Sequence, residues 1–340
     1  MNFDLGSLRS VKEVFGCKAN CLPAEILASS EPLILRKVVA DWPMVKVGQS
    51  SIDGVNPYLL QFYTGQEVSA FLGKPENKGR LFYNESMSGF NYDIVHTKLD
   101  FALEQLRLHK DSPFPPAIYL GSKSVDAYLP GFRAENDLEL AGKDPLVSIW
   151  ISNKCRAAAH WDSPSNIACC VAGRRRFTVF PFDQIDNLYP GPLDKTPAGQ
   201  EISLVDFYNP DFEKFPKFQE ALKHAQVADL EPGDALYLPS MWWHHVESLS
   251  TLNVLVNYWS RQLPAFYGAP IDVLQHAILS LRGLPAEQRA AWRNMFDHYI
   301  FNYDENNFDY IPESGRGILA EIGDESARKI RAMLLSKLNR

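Results

Sequence analysis

The sequence predicts a mainly β protein whose centre is a sandwich or barrel of jelly-roll type, preceded by an α/β elaboration and followed by helices. Three observations carry this. Between residues 116 and 262, short β-rich runs follow one another with turn residues between them, and no alternating helical segments of the kind that join parallel strands. A proline-studded insertion interrupts them at 181–231. From Pro270 onward the apolar periodicity becomes helical. With 46% hydrophobic and 22% charged residues over 340 positions, the chain can bury a full core, which excludes disordered and low-complexity architectures.

The elements follow in order. Residues 1–115 mix amphipathic segments and short strands as an elaboration of the core, with Pro32–Val39 reading as β before the turn at Asp41-Trp42-Pro43. Asp4, Arg9, Lys12 and Glu13 break up the N-terminal apolar residues, so no signal peptide is expected. The core, 116–262, is read as strands at Ala117–Gly121, Leu146–Ser152, Ala158–Asp162, Asn166–Ala172, Arg174–Phe180, Ala235–Pro239, His244–Ser248 and Leu252–Trp259. Within the insertion a helical patch runs from Lys217 to Gln226, and a segment of that length inside a β domain is expected to serve function. In 263–340, Ile271, Leu274, Ile278 and Leu281 mark one helix, Ala286–Phe301 a second and Asp324–Asn339 a third. Their apolar faces need cover, and a homodimer through these helices is expected.

Charge sums to 34 − 41 = −7, which disfavours nucleic acid and anionic membranes as partners while leaving a local basic step at Arg174–Arg176. Apolar stretches reach only about six residues, against the roughly 20 that span a bilayer. Five cysteines without repeated CxxC spacing point to neither zinc nor disulfides, and Cys169-Cys170 within an apolar run read as buried, reduced thiols. Together these predict a cytoplasmic protein without membrane contact. Aromatic residues make 12%, and five of seven tryptophans fall between 150 and 259.

Chemistry concentrates in two short runs, Ala159-His160-Trp161-Asp162 and Trp242-Trp243-His244-His245-Val246-Glu247. In an extended strand, His160 and Asp162 share a face while Trp161 takes the other. A distal histidine completes two imidazoles and one carboxylate, a set that holds divalent iron and leaves positions open for substrate and dioxygen. Adjacent strand residues face opposite ways, so only one of His244 and His245 can serve, and alternation does not choose between them.

These residues resemble the cupin-like JmjC oxygenases dependent on iron and 2-oxoglutarate, and among them the branch of the asparaginyl hydroxylase factor-inhibiting-HIF. The matching stretches are Pro32–Arg36 with Asp41–Pro43, Ala159–Asp162, Gly173–Phe177 through Phe180-Pro181, Asp206–Asp211, Phe215–Phe218, Pro232–Pro239, Trp242–Ser248 and Val256–Trp259. They cover roughly residues 30–265. The resemblance implies a double-stranded β-helix (jelly-roll) core, His160, Asp162 and His244 as ligands of Fe(II), and 2-oxoglutarate and O2 as cosubstrates. It places a cation for the distal carboxylate two residues after Gly173, usually lysine and here Arg175. Ala157 stands where the asparaginyl hydroxylase has a hydroxyl-bearing residue on the same carboxylate.

The resemblance further assigns Tyr119 to the distal carboxylate, and Asn166 and Asn257 to the metal-bound end of the cosubstrate. No catalytic residue beyond the metal ligands is expected, and Trp150, Trp161, Trp242, Trp243 and Trp259 are expected to wall the site. The implied reaction is hydroxylation of a protein or peptide side chain. Alternatives are a small molecule or modified tRNA base as substrate, or a metal-binding cupin that never uses 2-oxoglutarate.

Overall fold

A computed structural model of the chain describes residues 8–140, 144–197, 199–304 and 306–339. The first seven residues, part of the stretch read as lacking a signal peptide, lie outside the described residues. The chain forms two compact units, one ending at Gln262 and one beginning at Leu263.

The first unit carries the strands β1 (Arg9–Ser10), β2 (Lys12–Val14), β3 (Leu33–Leu35), β4 (Val68–Gly73), β5 (Arg80–Leu81), β6 (Tyr92–Thr97), β7 (Ala117–Ser124), β8 (Leu146–Ser152) and β9 (Arg156–His160). They continue with β10 (Ser165–Ala172), β11 (Arg175–Phe180), β12 (Gln226–Leu230), β13 (Ala235–Leu238), β14 (Trp243–Ser248) and β15 (Asn253–Ser260). One sheet of six runs β1-β12-β11-β14-β9-β5. The other, of nine, runs β2-β3-β13-β10-β15-β8-β7-β4-β6.

Side-chain alternation explains the layering. On β8 Val147, Ile149 and Ile151, and on β15 Val254, Val256 and Tyr258, face helices through a large apolar cluster with Met44, Val45, Leu59 and Leu103. Their opposite neighbours turn inward: Ala168, Cys170 and Leu255 of the nine-stranded sheet meet Phe177, Val179 and Val246 of the six-stranded one. A third layer covers the outer face of the six-stranded sheet, where Phe180 and Trp243 pack on Phe207 and Phe218 from the insertion. The central strands of both sheets are thus buried on two faces. That is why β10 and β14 read as continuous buried runs.

Several expectations change. The two mixed sheets form a jelly-roll-like core, but helices such as Pro43–Ser50 and Leu99–Leu108 flank it and the second unit adds further helices, so the chain as a whole is not strongly β-dominant. Among the described residues the two sheets do not close into one barrel. Of Pro32–Val39, only Leu33–Leu35 is strand, because Lys37 adopts a left-handed φ of 58° and its N–H caps onto the Asp234 carboxylate at 2.9 Å. Strand β12 lies inside the segment read as insertion and supplies a rung between β1 and β11. A register shift between Cys170 and Ala172 turns Ala172 to the outer cluster, away from the inward face of Ala168 and Cys170.

The second unit contains helices Pro270–Leu281, Ala286–Phe296 and Asp324–Leu338. Among its described residues only Phe308 and Ala327 are buried hydrophobics, whereas Trp292, Met295, Ile300, Leu335 and Leu338 are exposed. No helix among the described residues is long and apolar enough to cross a membrane.

Candidate metal centre

The two histidines stand side by side because β9 and β14 are antiparallel neighbours with His160 opposite His244. Their ring centroids lie 4.3 Å apart. Each imidazole is oriented by the same local device. His160 Nδ1 lies 2.8 Å from the Ala158 carbonyl, and His244 Nδ1 lies 3.0 Å from that of Trp242. A carbonyl only accepts, so each Nδ1 is the donor and each Nε2 presents a lone pair. His244 Nε2 is 3.6 Å from Asp162 Oδ2, and one ligand atom from each of His160, Asp162 and His244 lies within 4.8 Å of the others.

Burial, and then the neighbouring His160, push the His244 pKa down to about 4, so it is neutral at pH 7, as a metal ligand must be. Asp162 follows the end of β9 instead of lying within it, contrary to the expected run Ala158–Asp162. Its backbone is fixed by Met241, whose N–H donates to the Asp162 carbonyl at 2.9 Å from a residue with a φ of 69°. His245 faces the other side of the sheet, its ring 4.8 Å from that of Phe207.

The triad opens on a cavity of about 610 Å³. Tyr119, Asn166, Arg175 and Asn257 all line it with the three ligands. Arg175 on β11 is buried, and its Nε and Nη2 have no hydrogen-bond partner among the described residues. Desolvation lowers its pKa, opposed mainly by Tyr119, while burial pushes the Tyr119 hydroxyl well up. A guanidinium without a counter-anion in an apolar wall fits a ligand carboxylate. Asn257 Nδ2 donates to Asn166 Oδ1 at 3.0 Å, which leaves Asn257 Oδ1 buried without a partner among the described residues. Two imidazoles with one carboxylate likewise suit a divalent iron with open positions.

Ala157 also lines this cavity, three residues before His160. Strict alternation would place the two on opposite faces. Along β14 two steps separate Val246 from His244, but along β9 three steps separate their partners Ala157 and His160, so β9 carries a bulge of one residue. Cys155 also lines the cavity, and burial raises its thiol to about 12.

The aromatic wall differs from the expectation. Trp150 and Trp259 line the cavity and meet edge to face at 5.9 Å. Trp161 and Trp243 belong to the layer outside the six-stranded sheet, Trp161 donating its Nε1–H to Glu201 at 3.0 Å. Trp242 packs between the sheets and donates to the Ser30 carbonyl. Their places are taken by Phe71 and Tyr92, stacked at 5.0 Å, from strands β4 and β6 that sequence reasoning left out of the site. The only signal for them was the register pairing of Phe71 with Tyr119, which no local pattern encodes. The insertion contributes Pro197, Gln200 and Ile202 to the lining.

The match to a family model agrees with this architecture. The family described as "Cupin-like domain" matches residues 19–266. HSPB1-associated protein 1 of Rattus norvegicus is 36% identical over 129 residues, covering 36% of this chain and 26% of its own length. Lysine-specific demethylase JMJ31 of Arabidopsis thaliana is 32% identical over 114 residues, covering 33% and 20%. tRNA wybutosine-synthesizing protein 5 of Gallus gallus is 32% identical over 145 residues, covering 38% and 42%. The chain thus matches between 20% and 42% of the length of these relatives. Among solved structures, E. coli ycfD aligns at a TM-score of 0.40 and 15% identity, over 94% of this chain and 69% of that one.

Proposed function

Because the chain belongs to the cupin-like domain family, we propose that it is an Fe(II)- and 2-oxoglutarate-dependent oxygenase that hydroxylates a side chain of a protein or peptide. One observation supports this above the rest: two imidazoles and a carboxylate converge at a cavity that also holds a buried guanidinium whose Nε and Nη2 lack a partner among the described residues. His160, Asp162 and His244 would hold the iron. Arg175 with Tyr119 would take the distal carboxylate of 2-oxoglutarate, and Asn166 and Asn257 would lie at its metal-bound end. When bound, the metal and cosubstrate supply the oxidising power by coupling O2 to decarboxylation of the keto acid to succinate. The protein's own residues bind and orient: the backbone carbonyls of Ala158 and Trp242 hold both rings by Nδ1 and leave Nε2 for the metal, and Phe71, Trp150 and Phe177 exclude water. No side chain is needed as a general base.

Within the family we place the chain nearest the asparaginyl-hydroxylase branch, on the strength of the stretches Asp206–Asp211 and Trp242–Ser248. Arg175 and Ala157 depart from that branch at the distal carboxylate. A longer, forked cation opposite an alanine would grip it by a different set of bonds. A second reading, hydroxylation of a modified tRNA base, is favoured by the likeness to tRNA wybutosine-synthesizing protein 5 and opposed by the net charge of −7. We also place the protein in the cytoplasm, which suits five cysteines that are all free.

The test is 2-oxoglutarate turnover to succinate with added Fe(II), in the wild type and in His160→Ala and Arg175→Ala. Turnover is expected in the wild type and loss in both variants. Metal binding at the triad without any binding of 2-oxoglutarate would instead identify a cupin that does not use this cosubstrate. A peptide, tRNA and metabolite panel read by a gain of about 16 Da, the mass of one oxygen transferred by such a site, distinguishes the substrates.

A further inference from the structure

The bulge in β9 has a mechanical consequence for the two ligand strands. β14 and β9 are paired at His244 with His160, and then only at Val246 with Ala157 and Glu247 with Arg156. The ladder is therefore interrupted beside the metal ligands. On its other edge β9 is paired with the two-residue β5, and its Ala159 carbonyl accepts the Ser203 N–H at 2.7 Å. Beyond the His160–His244 pair itself, the ladder between the two ligand strands resumes only past the bulge.

The outer face of the same strands carries what is missing. Glu247 and Arg156 are opposite one another in register, and the tripeptide Asp206–Tyr208 of the insertion joins them. The Tyr208 hydroxyl donates to Glu247 Oε1, while the Arg156 guanidinium lies 4.0 Å over the Tyr208 ring. Asp206 accepts from Arg156 Nη1 at 3.2 Å and pairs with Arg80 Nη1 of β5 at 3.5 Å. The same carboxylate accepts the Tyr208 N–H at 3.1 Å, which fixes the turn. Phe207 between them packs on His245 and, at 5.6 Å, on Phe180 of β11. One short segment thus clasps β5, β9, β11 and β14 from behind the site.

We infer that Tyr208 is a positioning residue for the metal triad: acting through Glu247 and Arg156, it sets the spacing of the two ligand strands where the bulge breaks their ladder. This rests on the reading of His160, Asp162 and His244 as metal ligands. Groups behind the ligands typically change metal affinity about 10- to 100-fold when removed.

The experiment titrates the full-length metal-free protein with Co(II), following visible absorption, for the wild type, Tyr208→Phe, Asp206→Asn, His160→Ala and Tyr237→Phe. The last is the control: Tyr237 on β13 in the other sheet donates to the carbonyls of Leu27 and Ser29 at 3.0 and 3.3 Å, and its loss touches neither ligand strand. Tyr208→Phe is expected to weaken Co(II) binding about 10- to 100-fold and to shift the absorption bands, with Tyr237→Phe unchanged. Asp206→Asn is expected to move in the same direction and carries the test if Tyr208→Phe does not fold. Wild-type affinity and spectrum in folded Tyr208→Phe would overturn the inference, as would equal losses in Tyr208→Phe and Tyr237→Phe. Co(II) binding that survives intact in His160→Ala would remove the metal reading itself, and this inference with it.

Discussion

At the scale of single residues, Arg175 is the most consequential side chain after the ligands. Its buried Nε and Nη2 find no partner among the described residues, and each such orphan costs about 1–3 kcal/mol. Arg175→Met keeps the length and removes the charge. The ligand-free protein is expected to gain about 1–3 kcal/mol in urea unfolding, while 2-oxoglutarate binding measured by calorimetry falls on the order of 30-fold or more. Lower stability with unchanged binding would reverse that assignment. A pH dependence follows from the buried histidines. Burial, then Arg156 and Arg80, lower His245 to about 3, and His244 stands at about 4. Below the ordinary value of about 6.5, the unfolded chain binds protons that the folded chain refuses. Their contribution is thus complete above pH 6.5 and is lost as pH falls from there toward 4 and 3. Burial raises Glu247, which works in the opposite sense from its ordinary value of 4.5 upward and so offsets part of the histidine loss. Metal-free protein is expected to lose about 1–3 kcal/mol of unfolding free energy between pH 7.5 and 5.5, and a flat profile would refute it. At this scale the sequence was readable where chemistry and spacing coincide, as in His160-x-Asp162. It was mute on Phe71 and Tyr92, which reach the cavity through pairing between distant strands.

Among the elements, the turn entering β11 is the most constrained. Gly173 has a φ of 69°, and a Cβ there would stand 2.3 Å from the Leu252 carbonyl and 2.6 Å from Asn253 Oδ1. Gly65, with a φ of 78°, faces open space. Gly65→Ala is expected to cost about 1–2 kcal/mol, the left-handed penalty alone, and Gly173→Ala at least about 3 kcal/mol, since backbone must move as well. Urea midpoints compare them, and equal losses would contradict the steric argument. Strands with one apolar face toward helices and one toward the cavity, such as β8 and β15, were legible because alternation is visible in them. Three features were not. The β9 bulge changes parity without changing composition. β12 follows a helix inside a proline-rich segment and resembles its surroundings. The tryptophans of Trp161 and Trp242-Trp243 look like pocket walls in a list of residues, yet the pleat and the turn direct them elsewhere.

For the whole molecule, the second unit poses the open packing question. Trp292, Met295, Ile300, Leu335 and Leu338 are exposed there, and exposed large apolar side chains in such number point to association. We propose that a second copy of the chain covers these helices. Sedimentation of the full chain is expected to show a dimer, and Trp292→Glu combined with Ile300→Glu a monomer; a wild-type monomer at all concentrations would dismiss the proposal. The first unit has a different consequence for the cell. Each ligand histidine is aimed by a carbonyl two residues behind it, so the triad is assembled before any cation arrives. A ready-made site of two imidazoles and one carboxylate exercises little choice, and intrinsic affinity rises from iron toward nickel and copper. Correct loading would then depend on which ions the cell keeps scarce, leaving the protein vulnerable to poisoning by a tighter-binding metal when that control slips.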